Sequence, residues 1–342
     1  MVREWTCASR RLGGGTVNVA VDVTALAQTR AGTARYLHAL LPRIEGEAAV
    51  RRLSGFAAGP AGTLWLDLAW YPHLLSHRAR GADVLHCPTY RGPVRDSRVP
   101  VVVTVHDLAV FRHPEAFPAW TRAYSTRVVP RVLRSARRIV AVSEFTAAEL
   151  ESVLGVPRGK VSVVPNAVDA VFDLDGPRAD GNYLLAVGTL EPRKNLARAI
   201  EAAGRLGLEL RVVGARGWGR VQARGEAVTW LGEVDDHELA RQYRGALCLV
   251  YPSVYEGFGI PVIEAMACGT PVVTSAGGGT EEVAGGAAVL VDPLDVAAIA
   301  AGIEEAVAHS DELRRRGLER VRAFSWDESA RRTLDVYREA AA

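Results

Sequence analysis

A chain of 342 residues is too long for one ordinary α/β core and suits two domains. Its 49% hydrophobic and 23% charged residues describe a globular protein and exclude a disordered one, and a net charge of +2 excludes a nucleic-acid binder acting through bulk charge. No apolar run approaches the ~20 residues that span a bilayer.

The opening segment carries Arg3, Arg10 and Arg11 with no apolar stretch behind them, so it does not read as a secretory signal and a cytoplasmic protein is expected. From there, short β-rich runs alternate with helical stretches. Val17–Val23 reads as a strand and Arg35–Ile44 as a helix. Strands at Val84–Cys87 and Val101–Val105 follow, then a helix over Trp120–Arg137 that Pro130 interrupts. A strand at Ile139–Val142, a helix at Thr146–Leu154 and a strand at Val161–Val164 complete a first half. The run from Asn166 to Gly181 is polar, contains Gly176 and Pro177, and reads as a boundary. Beyond it the predicted strands are Tyr183–Val187, Leu208–Val213, Val228–Leu231, Leu247–Tyr251, Pro271–Thr274 and Ala288–Val291. Helices fit between them at Leu196–Leu206, His237–Gly245, Pro261–Ala267 and Val296–Ala308.

Many of these strands are apolar on consecutive residues, as parallel strands covered on both faces must be. One sheet of about a dozen strands is unusual. The expected architecture is therefore α/β, with two Rossmann-like doubly wound parallel sheets facing a cleft, over residues 1–170 and 171–325. Residues 326–342 read as a helix, capped by Ser325, that crosses back to the N-terminal domain. Cys7, Cys87, Cys248 and Cys268 show no C-x-x-C spacing and are expected to be buried, reduced thiols.

The most informative stretch runs from Tyr251 through Glu256, Gly257, Phe258, Gly259, Ile260, Pro261 and Glu264 to Gly269. A strand ends at Tyr251, a loop carries Glu256, and Pro261 suits the first turn of a helix that Gly269 ends. The amides of Gly257, Phe258, Gly259 and Ile260 would then sit near a helix N-terminus, a ready anion site. Glu264 is expected in the first turn beside them. Taken alone, the two glutamates also fit a helix-dipole complement and a solvated loop residue.

Glu256 and Glu264, inside E-G-F-G-I-P-V-I-E-A-M-A-C-G-T-P-V-V, resemble the E-x7-E signature of the family 4 retaining glycosyltransferases, which have the GT-B fold. The resemblance continues through Gly32-Thr-Ala-Arg-Tyr36, Val105-His-Asp-Leu108, Val142-Ser-Glu-Phe-Thr146, Val164-Pro-Asn-Ala-Val-Asp169, Val187-Gly-Thr-Leu-Glu-Pro-Arg-Lys-Asn195 and Glu282-Val-Ala-Gly-Gly286. Only the first dozen residues and about 46–80 stand outside it.

The resemblance implies a metal-independent transfer of a hexose from a nucleotide-sugar donor, mannose from GDP-mannose first by family habit, with glucose or rhamnose donors close behind. The acceptor would be a glycan, a lipid-linked sugar or a small molecule. Arg193 and Lys194 match the family's phosphate clamp, Glu264 the carboxylate that binds donor ribose, and Glu256 the one facing the transferred sugar. His106 matches a histidine beside that sugar, and Asp107 could orient it or support it from further out. Gly32 and Gly188 match glycines that let backbone approach the donor. The second glycine of the first loop is Ala34 here, and alanine resists positive φ. Thr189 stands where some relatives carry Arg, leaving more of the phosphate charge to Arg193 and Lys194. Retention is a family inference, and no cofactor is implied.

Other signals weigh less. Asp173-Leu-Asp175 is a D-x-D, but it sits in the predicted linker and not after a nucleotide-binding strand. Gly13–Gly15, Gly214–Gly219 and Gly277–Gly279 do not fit the dinucleotide fingerprint G-x-G-x-x-G. Thr280 reads as a helix cap whose neighbouring amides could line the donor site. The Arg-rich stretch Trp120–Arg138 is of the kind that lies on anionic lipid, so peripheral contact at the inner membrane face stands beside the plainer reading of a solvated helix face. Two further functional classes stay open at this stage: a GT-B-shaped epimerase or phosphorylase, and a non-catalytic nucleotide-sugar-binding scaffold.

Overall fold

The structure is a computed structural model that describes residues 16–28, 32–56, 59–95, 97–215 and 227–342. Cys7, Gly13–Gly15 and most of the Gly214–Gly219 stretch lie outside them. The first sheet contains β1 (Asn18–Asp22), β2 (Ala49–Leu53), β3 (Val84–Cys87), β4 (Val101–Val105), β5 (Arg138–Ala141) and β6 (Val161–Val163). Its spatial order is β2-β1-β3-β4-β5-β6, and its neighbouring strands are parallel. Around it lie α1 (Thr24–Gln28), α2 (Thr33–Glu45), α3 (Gly59–Trp65), α4 (Leu75–Arg78), α5 (Ala109–Arg112), α6 (Ala119–Ser135) and α7 (Glu144–Leu154). A wide π-helical stretch, Leu66–Leu74, joins α3 to α4.

The second sheet contains β7 (Tyr183–Val187), β8 (Glu209–Val213), β9 (Val228–Gly232), β10 (Cys248–Tyr251), β11 (Val272–Ser275) and β12 (Val289–Val291), in the parallel order β12-β11-β10-β7-β8-β9. Its helices are α8 (Leu196–Arg205), α9 (Asp236–Gly245), α10 (Ile260–Ala267), α11 (Gly278–Ala284), α12 (Val296–Ala308) and α13 (Ser310–Val321). Then α14 (Trp326–Ala341), capped by the Ser325 hydroxyl accepting from the Glu328 amide, returns to the first sheet. This is a two-domain α/β GT-B fold.

Each sheet is covered on both faces, and strand alternation shows it. Val102 and Val140 face α2 and α14, packing with Leu37, Leu40, Leu334 and Tyr337, while Val101, Val103 and Ile139 face Val129, Val132 and Leu133 of α6. In the second sheet Leu249 and Tyr251 face α10 residues such as Val262 and Met266, and Cys248 and Val250 face Ile299 and Ile303 of α12.

Several expectations need correction. Strand β2 was not foreseen because it is an exposed edge bearing Arg51 and Arg52, without the apolar run of a buried strand. Helix α13 was not foreseen because only Leu313 and Gly317 of its twelve residues are buried. Pro130 does not break α6, which runs unbroken through it. Thr280 is not a cap: α11 starts at Gly278, and the Thr280 hydroxyl donates to the Ser275 carbonyl at 3.4 Å. Glu264 lies in the second turn of α10, because that helix opens at Ile260. Cys87, Cys248 and Cys268 are free and buried.

Candidate active site

In the second sheet the strand order reverses direction between β7 and β10, and an open parallel sheet forms its binding crevice at such a switch. Beyond β7 the chain makes a short 3-10 turn, Pro192–Lys194, and beyond β10 it makes the loop that carries Glu256. The two segments meet. Glu256 Oε1 accepts from Lys194 Nζ at 2.6 Å and from the Tyr251 hydroxyl at 3.0 Å, and Oε2 accepts from Arg193 Nη1 at 3.0 Å. Lys194 Nζ also donates to the Tyr251 hydroxyl at 2.8 Å, and Arg193 Nε donates to Glu191 at 2.8 Å.

The electrostatics follow from this geometry. Glu256 is 9% exposed, and burial alone would raise its pKa. Lys194 and Arg193 outweigh burial and hold the carboxyl down at about 2, so it is ionised at neutral pH. The same carboxylate keeps Lys194 above its ordinary pKa despite burial. The turn that delivers both cations ends at Asn195, the one non-glycine with positive φ among the described residues, at 57°. Asparagine tolerates this conformation. Its amide donates to the Pro252 and Pro293 carbonyls, which clamps the turn.

Glu264 is 1% exposed, on the α10 face toward α9. Its Oε2 accepts from the Tyr243 hydroxyl at 3.0 Å. Oε1 lies 2.7 Å from Arg35 Nη2 as an ion pair and has no hydrogen bond of good geometry. Burial raises its pKa, against Arg35 and Tyr243.

Arg35 belongs to the other half of the molecule, and it is one of several ties across the cleft. The Ser143 and Thr146 hydroxyls at the start of α7 donate to the Gly257 carbonyl at 2.5 and 3.1 Å. Glu282 of α11 accepts from the Glu144 and Phe145 amides at 2.9 and 2.7 Å, a carboxylate on the positive end of α7. The Tyr255 hydroxyl accepts from the Leu108 amide at 3.2 Å and donates to Glu149 at 3.3 Å. Gly257 sits so close to the end of β4 that a Cβ there would come within 1.8 Å of the His106 carbonyl.

His106 thus lies at the C-terminal end of β4, at the cleft. Its Nε2 donates to the Pro88 carbonyl at 3.0 Å, and its ring meets Tyr36 edge-on with centroids 5.1 Å apart. Burial lowers its pKa against the opposing pull of Pro88 and Asp107, so the ring is neutral and Nδ1 carries a lone pair. Asp107 does not orient this ring: its carboxylate accepts from the Ala109 amide at 3.0 Å and starts α5.

The structure brings His106, Arg193, Lys194 and Glu256, with the loop Gly257–Ile260, to one cleft. Gly188 follows β7 at φ 144°, where an added Cβ would lie 3.4 Å from the Lys194 side chain. Gly259 caps α10 at φ 95°, and the amides of Gly257, Phe258 and Gly259 donate to no protein acceptor among the described residues. Gly32 caps α2 at φ 40° and is exposed, one turn before Arg35. Asp173 of the D-x-D is paired with Arg244 at 2.9 Å.

Sequence reasoning missed Tyr251, Glu191, Tyr255 and Arg35 as site residues. Arg35 stood inside a quoted motif, but its acid lies 229 positions away. Only Asn195, ending a quoted motif, carried a local signal for its conformation.

Known proteins share this fold and much of this sequence. The family profile described as "Glycosyl transferases group 1" matches residues 175–323, and that described as "Glycosyltransferase Family 4" matches residues 12–172. The O-antigen chain mannosyltransferase B of Escherichia coli is 33% identical over 284 residues, covering 75% of this chain and 74% of that protein. Among solved structures, a sucrose-phosphate synthase from Thermosynechococcus elongatus superposes with a TM-score of 0.76 at 20% identity, over 94% of this chain and 98% of that one. The Anabaena protein HepE, in complex with UDP and glucose, gives 0.72 at 16% identity over 94% and 99%. At such identities these two structures speak for the fold alone.

Proposed function

This chain belongs to the family 4 glycosyltransferases, and from that premise we propose that it moves a hexose, mannose from GDP-mannose, onto a glycan, lipid-linked or small-molecule acceptor with retention and without a metal. The observation that carries the reading is the Arg193–Lys194–Glu256 cluster at the switch point of the second sheet. As the bond from the sugar C1 to the β-phosphate oxygen breaks, negative charge grows on the diphosphate. Arg193 and Lys194, fixed by the Asn195 turn, meet that charge without reorganising. The amides of Gly257 to Ile260 at the start of α10 add to the anion site. Glu264 takes the ribose hydroxyls, exchanging its Arg35 contact for them. Glu256, held ionised, faces the positive character that develops at C1, and neutral His106 accepts at Nδ1 from a sugar hydroxyl. The acceptor oxygen bonds to C1 on the face the diphosphate leaves, and its proton passes to the leaving phosphate oxygen.

The choice of mannose leans on the Escherichia coli relative, an O-antigen chain mannosyltransferase. The family assignment favours transfer over an epimerase, a phosphorylase or a scaffold. The test is calorimetric binding of GDP, UDP, ADP and dTDP, with and without Mg²⁺, followed by turnover of the matching sugar nucleotide. Selective, metal-independent binding of GDP and turnover of GDP-mannose are expected. Binding of a different nucleotide overturns the donor, and a strict need for Mg²⁺ overturns the metal-free step.

A further inference from the structure

Helix α6 has no acidic residue, and Trp120, Arg127, Arg131 and Arg134 recur along it at spacings that share one outward face. Val129, Val132 and Leu133 occupy the opposite, buried face, while Tyr124, one turn on from Trp120, is buried under the Arg91 side chain. Those arginines, with exposed Arg122 and Arg137, make no ion pair among the described residues; Arg127 and Arg131 donate only to helix carbonyls. A merely solvated helix face normally interleaves both signs of charge.

Beside this ridge the fold sets an apolar one. Trp120, 44% exposed, donates its indole N–H to buried Asp67 at 3.0 Å, which ties it to the helical stretch Gly59–Leu74. On that stretch Leu64, Trp65 and Leu68 are 43%, 42% and 56% exposed. Asp67 is spent on Trp120 and on Arg91, 3.6 Å away, so it does not offset the ridge.

We propose that this face, Trp65 and Leu68 with Trp120, Arg127, Arg131 and Arg134, docks the N-terminal domain onto an anionic lipid bilayer. Indoles and leucines beside unpaired arginines match the layered chemistry of a membrane interface, apolar below and phosphate above. A second copy of the chain would set arginine against arginine. The face adjoins the cleft, since Asp67 and Tyr124 both meet Arg91, three residues after Pro88, whose carbonyl accepts from His106. Docking therefore holds the acceptor side of the cleft at the lipid surface.

The experiment is flotation of the full chain with vesicles of phosphatidylglycerol mixed into phosphatidylcholine, against vesicles of phosphatidylcholine alone. Binding to the anionic vesicles, weakened by salt, is expected. At about 1 kcal/mol per arginine, the triple variant Arg127→Ser, Arg131→Ser, Arg134→Ser loses about a hundredfold in affinity. The double variant Trp65→Ser, Leu68→Ser also loses affinity. Both variants keep their melting temperature and their turnover with a soluble acceptor, so failure here leaves the donor-site reading standing. Equal binding to both vesicle types, no binding by folded protein, variants that float like wild type, or concentration-dependent self-association through this face would overturn the proposal.

Discussion

Glu256 accepts from Lys194, Arg193 and Tyr251, and this arrangement decides how the residue should respond to mutation. A group acting on charge that appears only in the transition state changes kcat more than substrate affinity. Lys194→Ala is expected to lower kcat by about 10²–10³-fold with a small change in donor KM, read by steady-state kinetics. A raised KM at unchanged kcat would contradict that role. A second residue-scale expectation concerns pH and stability. Burial raises the Asp22 carboxyl to about 6 against two hydrogen bonds from Thr24, so the stability it contributes is lost as pH rises from about 4 through 6. Burial lowers His86, set between Thr104 and Tyr337, to about 3, so its contribution is lost as pH falls from about 6.5 toward 3. Between about pH 4 and 6 the two slopes, each about 1.4 kcal/mol per pH unit, oppose one another. Asp22→Asn removes one of them, and urea unfolding should show the variant gaining on wild type by about that amount per unit as pH rises. A constant difference would mean that Asp22 titrates normally. At this scale the sequence singled out Arg193, Lys194 and Glu256, which stand in long ordered motifs and which the fold brings into contact. It was a poor guide to Tyr251 and Arg35, whose partners are set by folding and not by spacing.

Among the elements, the loops after β4 and β10 are joined at a point where only glycine fits. Gly257→Ala drives a methyl into the His106 carbonyl, backbone against backbone, and neither side can swing away. The halves must separate there, and Ser143 and Thr146 lose the Gly257 carbonyl. Small-angle scattering should report a larger radius of gyration for this variant, with activity falling by more than tenfold. An unchanged radius with full activity would show that the two loops are looser than described. The elements legible in the sequence were the buried ones: β4 and β10, bounded by polar turns, need consecutive apolar residues because both faces are covered. Edge strand β2 is broken by Arg51 and Arg52 and surface helix α13 carries mostly polar residues, so neither an apolar run nor a strong stripe announced them.

For the whole molecule, two halves are held together by polar ties between their loops and helices and by one helix that belongs to the second half in sequence and to the first in space. Arg35 pairs with Glu264 and, at 3.4 Å, with Asp236, so its loss removes a tie without creating a clash. Arg35→Ala is expected to loosen the cleft, raising amide exchange in α9 and α10 while leaving the melting temperature within a few degrees. Unchanged exchange there would remove Arg35 from the closing contacts. Helix α14 matters differently. Trp326, 5% exposed, packs edge-on against Tyr36, whose ring in turn meets His106. Trp326→Ala should cost about 3–5 kcal/mol in urea unfolding, the range for a large aromatic leaving a packed core. This helix was legible from its Ser325 cap and its crossing was expected, whereas the closed cleft was not legible, because it rests on contacts between residues more than 100 positions apart. The crossing also sets an order of assembly during synthesis. Val102 and Val140 leave the ribosome long before Leu334 and Tyr337, so the first sheet waits with one face covered by α2 alone until the entire second sheet has been made. The half that is translated first is completed last, and in the interval the part of this face that α14 will cover is the surface a chaperone would meet.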